Sequence, residues 1–363
     1  MRALVIGGTG PTGPSVVRGL LDRGFEVAIY HRGTHETPEL PEVHEHLHGN
    51  PDDLEALNDD FGNTSWDIVV SMYGRLRLIA EVMAGRCERF IAIGGKGGNV
   101  PPSLLPFPEG RGFPRDETHP RFEDRELNNV GWAVAQTERD VFARQDAGEF
   151  QATVLRYTDL YGPRVPRQWI WPLVRRVLDG RTRVILPNGG QQLRPACYIE
   201  NAAQQVMAIV DNEDSIGHSY HAVDTQAICL SDVVRLVAEE LDHEWEPVSI
   251  THPLADQLAT GYATPSEQFD TASLRALGYQ DAVEPAIAIR YTARWLVEHR
   301  DEFDEAQVNA LIPNPYAYEA EDRLIDAHQS WSENVTEDIP APEISSALGP
   351  GFRAGYGPTT NRP

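Results

Sequence analysis

Three glycines at three-residue spacing, Gly7, Gly10 and Gly13, lie in the stretch GGTGPTG directly after the apolar run ALVIG. Each has a separable task in a phosphate-binding turn. Gly7 lets the chain turn tightly, Gly10 lets the backbone approach a pyrophosphate, and Gly13 lets a helix pack close to the strand. The helix that follows turns unpaired N–H groups and a partial positive charge toward the same phosphates, and Thr12 stands within the turn. A second apolar run, FEVAIY, ends in HRG. Sites selective for NAD place an Asp or Glu at this point to hold the ribose 2′-hydroxyl. Tyr30, His31 and Arg32 stand there instead, and Arg32 is suited to pairing with a 2′-phosphate. The expected cofactor is NADP (NADPH), favoured over NAD.

Lys96, in FIAIGGKGG, is the sole lysine of the chain; every other member of the 31 Lys+Arg is arginine. Just past an apolar run and between two glycine pairs, its ammonium has three candidate tasks. It would hold a cofactor ribose or phosphate, polarise a substrate carbonyl, or act as a base if burial lowers its pKa. Against these stands a solvated loop lysine with no task. The stretch VHEHLHG sets His44, His46 and His48 on one face of a strand. Three imidazoles are metal-ligand material. One edge strand rarely aims three neighbours at a single ion, however, and no cysteine or carboxylate spacing supports one, so a solvated face and no metal are expected.

These groups need a scaffold. ALVIG, the glycine turn, PSVVRGLLDRG with apolar residues at helical spacing, and FEVAIY read as strand, turn, helix and strand. WDIVVSM and RFIAIGG supply further buried strands. The predicted class is α/β: a Rossmann-type doubly wound parallel sheet with a smaller, discontinuous C-terminal substrate region. The chain has 363 residues, 41% of them hydrophobic, which is ample for a large core. No apolar run approaches a membrane span and no leader pattern opens the sequence, so a cytoplasmic protein without membrane association is expected. A net charge of −24 argues against nucleic-acid partners. Three cysteines, Cys87, Cys197 and Cys229, share no metal-like spacing and point to reduced thiols.

With these residues in view, the chain resembles the extended short-chain dehydrogenases/reductases, which include nucleotide-sugar epimerases and dehydratases. GGTGPTG matches the family's glycine motif. GNPDDLEAL is similar to the segment after its third strand, with Asn50 in place of the aspartate near the adenine. VLRYTDLYGPR and NGGQQLRPACYIENAAQ resemble its substrate-side motifs. The resemblance covers roughly the first 300 residues. It implies cofactor-binding roles for Gly7, Gly10, Thr12, Gly13 and Asn50, beside those read from the residues themselves for His31, Arg32 and Lys96, and a substrate side formed by Tyr157, Arg164, Arg194 and Tyr198. It also implies a small polar metabolite as substrate and a homodimer.

The match fails at the chemistry. The family's Tyr-x-x-x-Lys pair sits one helical turn apart, so that both groups reach the nicotinamide. Aligning Glu138 with its counterpart puts Val130 at the tyrosine position and Val134 at the lysine position. Gly94 and Gly95 replace the Ser or Thr that ends strand five. Lys96 and Tyr73, in SMYGR, are the remaining catalytic candidates. Reduction, epimerisation and dehydration stay open, beside a rival reading as a non-catalytic dinucleotide-binding sensor or scaffold. The expected domains are an NADP-binding region over 1–160, with a Pro/Gly-rich lid at 99–121, a mainly substrate-binding region over 161–300, and an extension over 301–363 that holds an acidic helix and a Pro/Gly-rich tail.

Overall fold

The computed structural model describes residues 1–34, 36–72, 75–101, 104–105, 114–251, 255, 266–302 and 316–337. Tyr73, the centre of the expected lid (102–103 and 106–113) and the tail beyond 337 lie outside the described residues. Residues 1–316 form one compact unit and 317–363 a second, in which Tyr318–Glu337 is a 20-residue helix with Glu319 and Glu321 in its first turn.

Within the first unit, a parallel sheet is built from β1 (Arg2–Ile6), β2 (Glu26–His31), β3 (Glu45–His48), β4 (Trp66–Ser71), β5 (Cys87–Gly95), β6 (Gln151–Tyr157) and β11 (Ser219–Ala222). Its seven strands run in the order β11-β6-β5-β4-β1-β2-β3. Strand order reverses between β1 and β4, and the crevice at such a reversal, past the carboxyl ends of the strands, is where open α/β sheets bind ligands. The inner strands are mainly apolar at their centres because both faces are covered. Val5, Val27, Ile29, Val70 and Ile91 pack under helix α1 (Gly13–Asp22) and helix α6 (Ile199–Val210). Leu4, Tyr30, Val69 and Phe90 pack under α2 (Leu54–Phe61), α3 (Leu76–Met83) and α4 (Asn129–Asp146). Edge strand β3 alternates half-buried and exposed residues, as a strand covered on one face must.

The remaining strands are β7 (Asp159–Tyr161), β8 (Arg183–Pro187), β9 (Leu193–Arg194), β10 (Ala196–Tyr198), β12 (Ile228–Cys229) and β13 (Glu246–Ile250). They form three short pairs, β7 with β10, β9 with β12 and β8 with β13. Around them lies a second core, where Trp169, Ile170 and Trp171 meet α5 (Trp171–Leu178), α7 (Leu230–Glu240) and the helix Pro285–Glu298. No described helix is long and apolar enough to cross a membrane.

Candidate functional site

At the carboxyl ends of β1 and β2 the structure opens a cleft of about 510 Å³, lined among others by Gly7, Gly10, His31, Arg32, Met72 and Arg164. The glycine turn is built for close approach. Gly7 holds φ +89°, a left-handed conformation that side chains resist. A Cβ on Gly13 would lie 2.0 Å from the carbonyl oxygen of Gly8. Helix α1 starts with Pro14 in its first turn, no side-chain cap and no acidic residue. No side chain therefore competes with an anion for this end of the helix, although the Gly13 N–H already donates to the Gly10 carbonyl at 2.9 Å and Pro14 has no N–H. Thr12 occupies the N-cap place, but its hydroxyl accepts a hydrogen bond from the Tyr157 phenol at 3.3 Å instead of capping the helix. These features fit a dinucleotide: the turn and α1 would hold its pyrophosphate, and the end of β2 its adenosine ribose.

Arg164 is a non-glycine residue at φ 60°, a conformation that surrounding structure must impose. It lines the cleft and pairs with Glu39 at 2.8 Å and with the Thr37 hydroxyl. Asn50 stands off the cleft lining, where its exposed side chain accepts from the Asp52 amide at 3.2 Å in the turn before α2. Tyr198 lies in the second core, 2% exposed, at the start of α6, and burial pushes its phenol well above the ordinary tyrosine range.

On the other side of the glycine turn, Gly95 pairs with Tyr157 across β5 and β6, and a cavity of about 330 Å³ opens against α4. Val134, Gly94, Gly95, Glu138 and Tyr157 line it. Val130 is 71% exposed. With Ala92 four residues before the sole lysine, no Tyr-x-x-x-Lys pair exists anywhere in the sequence. Glu138 is the polar centre here. It accepts from Arg121 at 2.9 Å, from Arg156 Nε at 3.0 Å and from Ser219 at 2.8 Å. Burial pushes its carboxyl up, but Arg156, Arg121 and Ser219 outweigh that and hold it below the ordinary carboxylate range. Beside it His221 is fully buried, stacked on Phe269, and its pKa is pushed down to about 2 by burial and then by the charges of Arg156 and Arg121.

Lys96 opens the short 3₁₀ turn Lys96–Gly98 after β5. Its ammonium lies 3.1 Å from Glu267 and 3.3 Å from Asp159. Arg115 reaches Glu267 at 2.9 Å, and Arg194 reaches Asp159 at 3.0 Å while lying 4.5 Å over the Trp169 ring. One carboxylate, Asp159, thus joins a catalytic candidate to a substrate-side candidate, and three cations gather on two carboxylates. Neither Asp159 nor Glu267 stood out in the sequence. Asp159 was in plain view inside VLRYTDLYGPR, whereas Glu267 comes from a distant segment that only the fold brings near.

Residues 103–222 match the model of the NAD dependent epimerase/dehydratase family. The chain is 29% identical over 234 residues to a Streptomyces protein named as a 3-diazoavenalumate denitrifying reductase, an alignment covering 59% of this chain and 73% of that one. In structure it is similar to a dTDP-glucose 4,6-dehydratase of Streptomyces venezuelae with NAD bound (TM-score 0.63, 17% identity, 84% of this chain and 99% of the other). It is also similar to a UDP-glucose 4-epimerase of Thermus thermophilus in complex with NAD (TM-score 0.61, 19% identity, 82% of this chain and 99% of the other). The sheet order and the glycine turn at its switch point agree with these comparisons: the chain has the fold of the extended short-chain dehydrogenases/reductases, and its residues 103–222 match the NAD dependent epimerase/dehydratase family.

Proposed function

We propose that the protein binds NADP(H) and uses it to reduce a small, polar, anionic metabolite. The observation that carries this reading is the cleft at the ends of β1 and β2, which gathers the glycine turn, Arg32 and Arg164 around one cavity. A guanidinium at the end of β2 favours a 2′-phosphate over a bare ribose. The bound cofactor would supply hydride at its nicotinamide. The gathering of Lys96, Arg115 and Arg194 supports an anionic substrate, and the curated relative's name as a reductase favours reduction over epimerisation. By family resemblance the protein acts as a homodimer.

Calorimetric titration with NADPH and NADH tests the cofactor preference. NADPH is expected to bind more tightly, and Arg32→Ala is expected to weaken it by about 1–3 kcal/mol with little change for NADH. Equal or tighter binding of NADH overturns the preference. A second reading, a dinucleotide-binding sensor without chemistry, is favoured by the valines on α4, since neither carries a proton or a charge. Loss of NADPH absorbance with a panel of small carboxylate-bearing carbonyl compounds separates the two, because a sensor binds NADPH but does not oxidise it.

A further inference from the structure

Among the described residues, one group of metal-capable side chains converges: His31, Glu36, His46 and His48, with their ligand atoms all within 4.8 Å of one another. The strand pairing explains how. β2 and β3 run parallel in a register that sets His31 directly opposite His48 and Ile29 opposite His46, so the three imidazoles share one face. Glu36 comes from the segment between these strands. The edge strand by itself supplies two of the four groups, and its neighbour and the connecting chain supply the others. His44, although it alternates with His46 and His48, is not among them.

We infer that these four residues form a binding site for a divalent transition-metal ion of the zinc type, at the adenosine end of the cofactor cleft. The distances carry the inference. Four ligands at about 2.0–2.1 Å from a tetrahedral ion lie about 3.3 Å from one another. The Glu36 carboxylate oxygen is 3.3 Å from His48 Nε2, 3.5 Å from His31 Nε2 and 3.7 Å from His46 Nε2. The three ring centroids lie 4.7–4.8 Å apart, and all three Nε2 atoms stand on the same Glu36 oxygen. His31 and His46 bring their Nε2 atoms to 2.5 Å. That contact tolerates at most one proton, and an ion between the two nitrogens would open it toward a tetrahedral edge. Imidazoles and one carboxylate suit zinc, cobalt or nickel better than calcium or magnesium.

Loading asks for one local change. The Gly33 amide donates to His31 Nδ1 at 3.2 Å, and this nitrogen must carry the ring proton once Nε2 ligates. Gly33 holds φ +70° with the His48 ring 3.4 Å from where its Cβ would stand, and loading would need this turn to rotate its N–H away. His31 and Glu36 line both the site and the cleft, so a metal here stands beside the cleft and apart from the phosphate-binding turn.

The test uses untagged full-length protein stripped with a chelator and free of dinucleotide, so its outcome is independent of the cofactor reading. Zinc titration by calorimetry and native mass spectrometry is expected to show one equivalent bound with micromolar or tighter affinity. Cobalt is expected to give the intense visible bands of a tetrahedral site. His46→Gln with His48→Gln is expected to weaken zinc about tenfold or more and to abolish those bands, and Glu36→Gln to weaken it less. Both histidines lie on the exposed face of an edge strand, and circular dichroism checks that the variants stay folded. Absence of a stoichiometric zinc ion, an octahedral cobalt spectrum, or unchanged binding in the double variant each overturns the site.

Discussion

Replacing Lys96 by Met removes one cation and keeps much of the side-chain volume, so it isolates what the lone ammonium does. The ammonium stands 3.1 Å from Glu267 and 3.3 Å from Asp159. At an effective dielectric of about 20, such charges attract by about 5 kcal/mol per pair. Most of this does not survive as stability. Arg115 and Arg194 repel the ammonium and desolvation opposes the pairing. Lys96 and both carboxylates also keep about a quarter of their side chains in solvent, where screening acts. The net contribution is about 1–2 kcal/mol. After the substitution each carboxylate still has an arginine, so the fold is expected to persist with a melting temperature lower by about 2–4 °C. Urea unfolding of Lys96→Met, Glu267→Gln and the double variant gives the coupling directly, expected at about 1 kcal/mol. A coupling near zero would show that the ammonium does not hold Glu267 in solution. NADPH affinity and turnover are read on the same variant. Weaker affinity assigns the charge to the cofactor, lower turnover with affinity intact assigns it to the substrate, and no change in either removes Lys96 from the site.

Gly13→Ala places a Cβ against backbone that cannot yield cheaply, so a stability loss of about 2–3 kcal/mol and loss of dinucleotide binding are expected, read by chemical unfolding and calorimetry. His221 stays neutral in the folded protein down to a pKa of about 2, whereas the unfolded chain takes up its proton near 6.5. Folding stability is therefore lost as pH falls below about 6.5, with this residue contributing a slope of about 1.4 kcal/mol per pH unit. His221→Phe is expected to be less stable at pH 7, because Asn99 and Arg156 lose an acceptor, yet to show a slope shallower by that amount between pH 6 and 4; equal slopes refute the assignment. Val130 and Leu127, 71% and 57% exposed at the start of α4, form a surface suited to the expected dimer. Val130→Asp is expected to shift the mass measured by light scattering from twice 40.4 kDa toward the single chain, with little effect on the fold.

The nucleotide-binding half was legible because its signals are local. The glycine turn, the apolar strands and the helical spacing of Val16, Val17 and Leu20 each fit within one short window. What joins distant segments was not legible. Lys96 attracted attention by its rarity, but its partners Asp159 and Glu267 lie far along the chain, the latter 171 residues away, and no periodicity connects them. The histidines of β3 were visible, but their convergence with His31 depends on the register of a parallel pair, and a shift of one residue would have turned them to the other face. Tyr198 shows what a local motif leaves out. It sits inside a substrate-side motif, and the packing of the second core withdraws it from the surface.

The order of the strands also bears on how the chain is assembled. β11 closes the sheet beside β6, pairing Ser219–Ala222 with Val154–Tyr157, and α6 packs on α1 so closely that a Cβ on Gly19 would meet the sulfur of Met207 at 2.5 Å. Both closing pieces come after the excursion that builds β7, α5 and β8. During synthesis the amino-terminal half therefore leaves the ribosome with β6 as an open edge and one face of α1 uncovered, and the sheet is completed only when Ala222 has emerged. A gene cut shortly after Tyr157 would yield a sticky fragment, not a smaller nucleotide binder, and a workable split must keep Ile199–Val210 and Ser219–Ala222 with the amino-terminal strands.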